Sequence, residues 1–306
     1  MLFFSLLLLS EANEYLVTRQ KVLMGTFVTI SVDNAHKASL KPAFKLLDDI
    51  ENSLSSYKKN SPIYKLNHNK TVKLDTYSYE ALMLSGDYYK QTDGYFNIAI
   101  GSVTKDLYHF GEDERVVSKK ELTKASTNFN ALIFNENKAI ITDNIKIDLG
   151  GMGKGFGVDK VTQFLKKQGA KNAVIALSGD IRCIGECTIA VNNPLSLEKK
   201  LARFKMKDCG VSTSGNYNRY VKSKQHNHLI NPKTKSSEQN FISVTLIATI
   251  PSATLDAYAT AISVMPLSKA YAFLEKHDIA YIILQTNKKL VLSQNIYQYV
   301  KELELK

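Results

Sequence analysis

Cysteine is scarce in this chain: three residues, Cys183, Cys187 and Cys209, among 306. That excludes a disulfide framework as the source of stability, and an odd count leaves at least one thiol unpaired within the chain. Cys183-Ile-Gly-Glu-Cys187 lacks redox or zinc spacing; a Cys183–Cys187 bridge, a Cys187–Cys209 bridge and buried free thiols all stay open. Glycine (15) and proline (6) are too few for a collagen-like, mucin-like or disordered chain. No apolar run reaches the roughly 20 residues that a membrane-spanning helix needs. Acidic residues are outnumbered, 29 against 40 Lys and Arg, for a formal net charge of +11. That balance favours anionic partners: nucleotides, nucleic acid or an acidic membrane surface. The basic doublets beginning at Lys58, Lys119, Lys166, Lys199 and Lys288 are scattered, with no RNA-binding signature or zinc-finger spacing, so no nucleic-acid partner is expected.

What is present is enough for a sizeable core. With 44% apolar residues, a chain of this length can bury roughly three-quarters of its unfolded surface. Residues 1–9, MLFFSLLLL, are followed by Ser10-Glu11-Ala12, small residues at the spacing a signal peptidase reads. This predicts an export signal over 1–12 and a folded domain over 13–306, although no Lys or Arg precedes the apolar run. A truncated start and a buried terminal segment are the alternatives. No cysteine follows the run, so no lipid anchor is expected.

No repeat or linker divides the chain, and helix and strand periodicities alternate, which predicts one integrated α+β unit with antiparallel or mixed sheets. Helical spacing covers His36 to Tyr57, with Leu40, Phe44, Leu47, Ile50 and Leu54 on one face. Further helices are expected over Tyr77 to Gln91, from near Gly155 to Gly169, over Thr254 to Val264 and over Leu267 to His277. β-Branched runs predict strands at Phe27 to Val32, Ala173 to Leu177, Thr188 to Val191, Phe241 to Ala248 and Ala280 to Gln285. Ala131 to Asp143 reads as a hairpin turning at Asn135-Glu136-Asn137.

Three stretches concentrate chemistry. In Lys146-Ile-Asp-Leu-Gly-Gly-Met-Gly-Lys-Gly-Phe-Gly-Val-Asp159 a strand ends in a glycine-rich turn that opens a helix, where backbone N–H groups and the helix dipole favour phosphate. It matches neither GxxxxGK[ST] nor GxGxxG, and a packing device would look the same. Asp256-Ala-Tyr-Ala-Thr260 sets a carboxylate and a hydroxyl on one helix face, a start for a hard cation such as Mg²⁺ or an ordinary solvated pair. Gly210-Val-Ser-Thr-Ser-Gly-Asn-Tyr217, with His226, His228 and Asn231-Pro232 downstream, offers hydroxyls before a glycine turn and a nearby imidazole.

The order of motifs carries more than any one of them. Met24-Gly25-Thr26, Ser56-Tyr57 with Ser61 and Leu66-Asn67, Gly94-Tyr-Phe-Asn-Ile98, DLGGMGKGFGVD, Leu177-Ser-Gly-Asp180, TSGNY, HLINPKT and LDAYATA follow one another. Together they closely resemble the ApbE family, the FAD:protein FMN transferases, from Met24 to Met265. The resemblance implies a T-fold-like domain that binds FAD and Mg²⁺ and transfers FMN through a phosphoester to a Thr or Ser hydroxyl of an acceptor flavoprotein, releasing AMP. It implies an acceptor that is a membrane-associated subunit, and with the export signal a place in the bacterial periplasm or on the outer face of the inner membrane. Carried over by position, the metal ligands are the Gly151 carbonyl, Asp256 and Thr260. Flavin or nucleotide contacts fall on Met24, Tyr57, Tyr95, Phe96, Asn97, Asp148, Lys154, His228 and Ile230, with Thr213 and Ser214 lining the pocket. Asp256, Thr260 and His228 are the expected catalytic residues. Asp148 and Asp180 could each orient the nucleophile or hold a turn. Asn97 and Asn231 stand where the family has Asp, which predicts less negative charge near the site and an altered base or acceptor preference. An FAD pyrophosphatase and a non-catalytic FAD-storage protein are the competing expectations.

Overall fold

The computed structural model describes residues 16–196, 198–217 and 219–306. The expected export signal over 1–12 therefore lies outside the described residues. Eight strands form the central sheet, in the order Leu16–Leu23, Thr26–Asp33, Ala173–Leu177, Asp180–Ile184, Gly210–Gly215, Phe241–Ala248, Ala280–Gln285 and Leu290–Leu292. Every neighbouring pair in it is antiparallel.

Strand alternation divides two apolar layers across this sheet. Ile175, Leu177, Val244 and Leu246 face helices Leu40–Leu54, Gly153–Lys167, Ser252–Val264 and Leu267–Lys276 in the larger core. Val174, Ala176, Ile181, Val211 and Ile247 face the other way, onto a three-stranded sheet of Glu186–Asn192, Lys200–Lys207 and Val300–Leu305. Ala173–Leu177 is buried on both faces, so it reads as a continuous apolar run. A third cluster, Val103, Tyr108, Phe110, Val117, Leu122, Val221 and Ile230, packs a separate lobe.

The helices expected from periodicity are present with shifted ends. The first spans Leu40–Leu54 behind a 3₁₀ turn, Asn34–Ser39, whose start is capped by Asp33. The glycine-rich helix spans Gly153–Lys167 and the last pair Ser252–Val264 and Leu267–Lys276. The hairpin of Leu132–Phe134 and Lys138–Ile141 is there, with Thr71–Lys73 added to its edge. Gly210–Gly215, read as hydroxyls before a glycine turn, is instead a strand paired on both sides. The Ser212 and Thr213 hydroxyls bond across to neighbouring strands, which lets so polar a segment sit in a sheet. Cys183 and Cys187 form a disulfide, and Cys209 is a buried free thiol.

The glycines of the helix opening serve close approach rather than unusual backbone angles, for none of Gly150, Gly151, Gly153, Gly155 and Gly157 has a positive φ. A Cβ on Gly155 would stand 2.2 Å from the Ser252 carbonyl oxygen, and one on Gly157 2.9 Å from Leu47 Cδ2. The packing reading of the turn thus holds for Gly155 and Gly157. Because the Gly155 clash is with backbone, Gly155→Ala should destabilise the fold by at least about 1–3 kcal/mol, measured as a lowered urea midpoint at unchanged m.

Candidate active site

Helices Gly153–Lys167 and Ser252–Val264 meet at Gly155, and this contact builds the centre of the site. The Gly155 N–H donates to Asp256 Oδ2 at 3.0 Å, and Lys154 Nζ lies 3.1 Å from each Asp256 oxygen. The same ammonium is 2.9 Å from Asp180 Oδ2, while Ser212 Oγ donates to Asp180 Oδ1 at 2.5 Å. Asp180 and Ser212 are register partners on adjacent strands, so the sheet itself aligns them. The carboxylates are 2% and 3% exposed, for Asp180 and Asp256 respectively.

Two buried carboxylates against one ammonium leave a net negative charge. Burial, then the charge of Asp180, pushes the Asp256 carboxyl above its usual range, against the pull of Lys154 and the Gly155 N–H. Burial opposes the Lys154 ammonium too, but Asp180 and Asp256 outweigh it and hold its pKa above normal.

The start of the Ser252–Val264 helix is braced from two sides. Asp159 accepts the N–H groups of Ser252 and Ala253 at 2.7 and 2.8 Å, replacing the side-chain cap that Pro251 cannot supply. Buried Arg182 donates to Ser252 Oγ at 3.0 Å, to the Thr249 carbonyl at 3.1 Å and to the Ile250 carbonyl.

The oxygens assigned to a metal converge in part. Thr260 Oγ1 donates to the Gly151 carbonyl at 3.2 Å, one helical turn beyond Asp256. A Cβ on Gly151 would come within 3.0 Å of Thr260 Cγ2 and 3.3 Å of Phe96 Cε2, so only glycine brings that carbonyl so close. Among the described residues no group of three or more His, Cys, Asp or Glu side chains is placed to hold a metal. The set here is a different kind: one carboxylate, one hydroxyl and one carbonyl, beside uncompensated negative charge. Hard-cation chemistry fits such donors when phosphate oxygens complete the shell.

A second group surrounds Asp148. Its carboxylate accepts from Thr104 Oγ1 at 2.7 Å and from the Gly150 N–H at 2.9 Å. Burial opposes its charge, but Lys105 and these hydrogen bonds hold its pKa below normal. Tyr57 is 44% exposed and donates to the Phe110 carbonyl at 2.8 Å. His228 Nδ1 lies 3.1 Å from the Arg219 carbonyl, which fixes the neutral ring with Nδ1–H donating and Nε2 free to accept. Burial, then the charge of Arg219, pushes the imidazole down to about 4.

The remaining expected contacts separate. Met24, at φ 51° in the turn between the first two strands, lies over the opening of the glycine helix; its Sδ would be 3.2 Å from a Cβ on Gly157. Phe96 is buried edge-on to Tyr88 and against Gly151, while Tyr95 lies under the Lys233 ammonium, 4.5 Å from the ring centroid. Ser214 shares the helix-facing side of its strand with Ser212, whereas Thr213 bonds Thr245 Oγ1 at 3.0 Å on the other side of the sheet. The Ile230 side chain is buried in the third cluster. A groove of about 400 Å³ runs past Asn97, Thr127 and Lys233, with none of Lys154, Asp180 or Asp256 in its wall.

Asn97 and Asn231 are structural amides. Asn97 donates to the Thr127 carbonyl and accepts from the Ala99 N–H, both at 2.8 Å. Asn231 donates to Glu238 Oε1 and the Val264 carbonyl and accepts from the Lys233 N–H. A carboxylate could take the accepting half of either arrangement but not the donating half. Lys105, Thr104, Ser212 and Arg219 were not singled out from sequence. No motif or periodicity marks Thr104, Lys105 or Arg219; Ser212 lay inside the hydroxyl-rich stretch.

The ApbE family model matches residues 24–283. The chain belongs to the ApbE family. A relative named FAD:protein FMN transferase from Buchnera aphidicola (Schizaphis graminum) is 27% identical, covering 92% of this chain and 89% of that one. Another of that name from Haemophilus influenzae is 26% identical over 80% of this chain and 78% of its own. Among solved structures, the Thermotoga maritima ApbE protein superposes with a TM-score of 0.86 at 24% identity, covering 94% of this chain and all of that one. The Vibrio cholerae flavin transferase ApbE gives 0.80 at 22%, over 93% and 99%. The α+β fold with antiparallel sheets is thus the family's.

Two outcomes follow from these local environments. An imidazole held near 4 in the fold and near 6.5 when unfolded makes the unfolded chain bind more protons between those values, so stability falls as pH drops through that window. His228→Asn should therefore lose less stability than the native chain between pH 7 and pH 4.5 in urea titrations; equal losses would refute the assignment. Asn97→Asp should cost about 1–3 kcal/mol through the orphaned Thr127 carbonyl and the buried charge, read as a drop in Tm.

Proposed function

We propose that this chain is an FAD:protein FMN transferase that moves the FMN half of FAD onto a Thr or Ser hydroxyl of an acceptor flavoprotein and releases AMP. The observation that carries this is the Lys154–Asp256–Asp180 centre at the mouth of a glycine-opened helix, in a chain of the ApbE family. The curated relatives' shared name supports the reaction class.

The centre suits a pyrophosphate. The Lys154 ammonium, held between Asp180 and Asp256, contributes positive charge toward phosphate oxygens, while the Gly150, Met152, Gly153 and Gly155 N–H groups at the helix opening already bond within the protein. Gly151, Asp256 and Thr260 would hold Mg²⁺, which when bound supplies charge neutralisation to the pyrophosphate. Asp180, with Ser212, keeps Lys154 protonated and aimed at Asp256. His228, neutral at pH 7 with Nε2 free, takes the proton of the acceptor hydroxyl. A phosphoester bond then forms to the flavin-side phosphorus as its bond to the bridging oxygen breaks, and AMP carries away that electron pair. An acceptor in a membrane-associated subunit, met outside the cytoplasm, matches the export signal expected over 1–12.

The test is incubation of the purified chain with FAD, Mg²⁺ and a candidate acceptor domain, read as in-gel flavin fluorescence and the FMN mass increment on Thr or Ser. Asp256→Ala and Lys154→Met should each lower transfer at least about a hundredfold, and chelation should stop it. Free FMN and AMP without a labelled acceptor would make the chain a pyrophosphatase, and FAD left intact would make it a storage protein. Wild-type transfer by Asp256→Ala would remove Asp256 from the mechanism.

A further inference from the structure

A cation that no motif marks lies in the Asp148 group. Lys105 follows the short Gly101–Thr104 helix, and its side chain is 13% exposed. Its ammonium sits 3.8 Å from the Tyr57 ring centroid, contacts Tyr57 Oη, and is 3.7 Å from Asp148 Oδ2. The last separation is an ion pair but too long for a hydrogen bond. Asp148 already accepts from Thr104 and Gly150.

An ammonium carries three N–H donors. One is spent on Tyr57 Oη, which itself donates onward to the Phe110 carbonyl. The others meet no hydrogen-bond acceptor among the described residues. A largely buried ammonium with unspent donors is unfavourable unless an anion meets it. Arg219 stands beside it: a Cβ on Gly111 would lie 2.8 Å from Tyr57 Oη and 3.0 Å from Arg219 Nη2. The Arg219 guanidinium has its nearest carboxylate oxygen, on Glu114, at 3.8 Å, again beyond hydrogen-bond reach.

We propose that Lys105 is a further substrate-binding residue, whose ammonium donates to a phosphate oxygen of the bound dinucleotide. The assignment rests on the FAD reading above. Tyr57 and Asp148 fix the ammonium's position without using up its donors, which is how an anion-binding lysine must be held. Asp148 balances the charge without taking the remaining donors; a phosphate oxygen would take one in a charge-assisted hydrogen bond, stronger than a neutral acceptor gives. The alternative role, a mere prop for the Tyr57 ring, leaves the free donors without purpose.

The experiment is FAD binding to the full chain at pH 7.5, followed by flavin fluorescence anisotropy across a series of KCl concentrations. Lys105→Met should weaken binding roughly ten- to a hundredfold, the span expected for a charged hydrogen bond, and should flatten the dependence of Kd on salt. Lys105→Arg should stay within about threefold of the native chain and keep its salt dependence, and it also guards against a Met variant that folds poorly. An unchanged Kd in Lys105→Met overturns the proposal. So does a weakened Kd with native salt dependence, because loss of a ring prop removes packing but no charge contact. Failure of the native chain to bind FAD would instead defeat the functional reading itself, a separate outcome.

Discussion

Two buried carboxylates share one ammonium, and the surrounding fold is arranged to make that sharing possible. Asp256 comes from one helix, Lys154 from the start of another and Asp180 from the sheet. Each alone would be expensive to bury; together they leave a single uncompensated negative charge. That net charge is the electrostatic basis for the Mg²⁺ proposed at this centre.

The arrangement depends on how closely two helices approach. The Gly155 backbone touches the Ser252 backbone with no room for a methyl group, and this contact delivers the Gly155 N–H to Asp256. Asp159, about one turn further along the same helix, caps the partner helix from outside, while Arg182 ties its preceding loop to the sheet. Glycine, carboxylate and guanidinium therefore act on one variable, the position of Asp256 relative to Lys154. Of the two readings its sequence offered, packing is what the structure shows at Gly155 and Gly157, and Gly151 brings its carbonyl to Thr260.

A second charged group, around Asp148, differs in its balance. There the carboxylate is well satisfied and stays ionised, while Lys105 and Arg219 are incompletely paired. His228 lies between the two regimes, kept neutral by burial and by its cationic neighbours. One group thus has negative charge in excess and the other has donors in excess. Under the proposed function, a dinucleotide with its metal ion would meet both groups.

Much of this was legible in the residues. Period-3.6 spacing located the helices carrying Leu40 to Leu54 and Val158 to Leu165, because one face of each meets a common apolar layer. The ordered motifs identified the family, and the i, i+4 relation of Asp256 and Thr260 follows from helix geometry alone. The strand Gly210–Gly215 was not legible, since its hydroxyls find partners only on Asp180 and Thr245, 32 residues away in each case. Nor did sequence reveal that Asn97 and Asn231 are satisfied amides, or that Thr213 and Ser212 face opposite sides of the sheet. By itself the sequence determined periodicity, family and the types of group available, because these depend on neighbours along the chain. Only tertiary structure decided that Lys154 serves both Asp180 and Asp256 and that Lys105 keeps free donors, because pairing and burial depend on segments brought together from far apart.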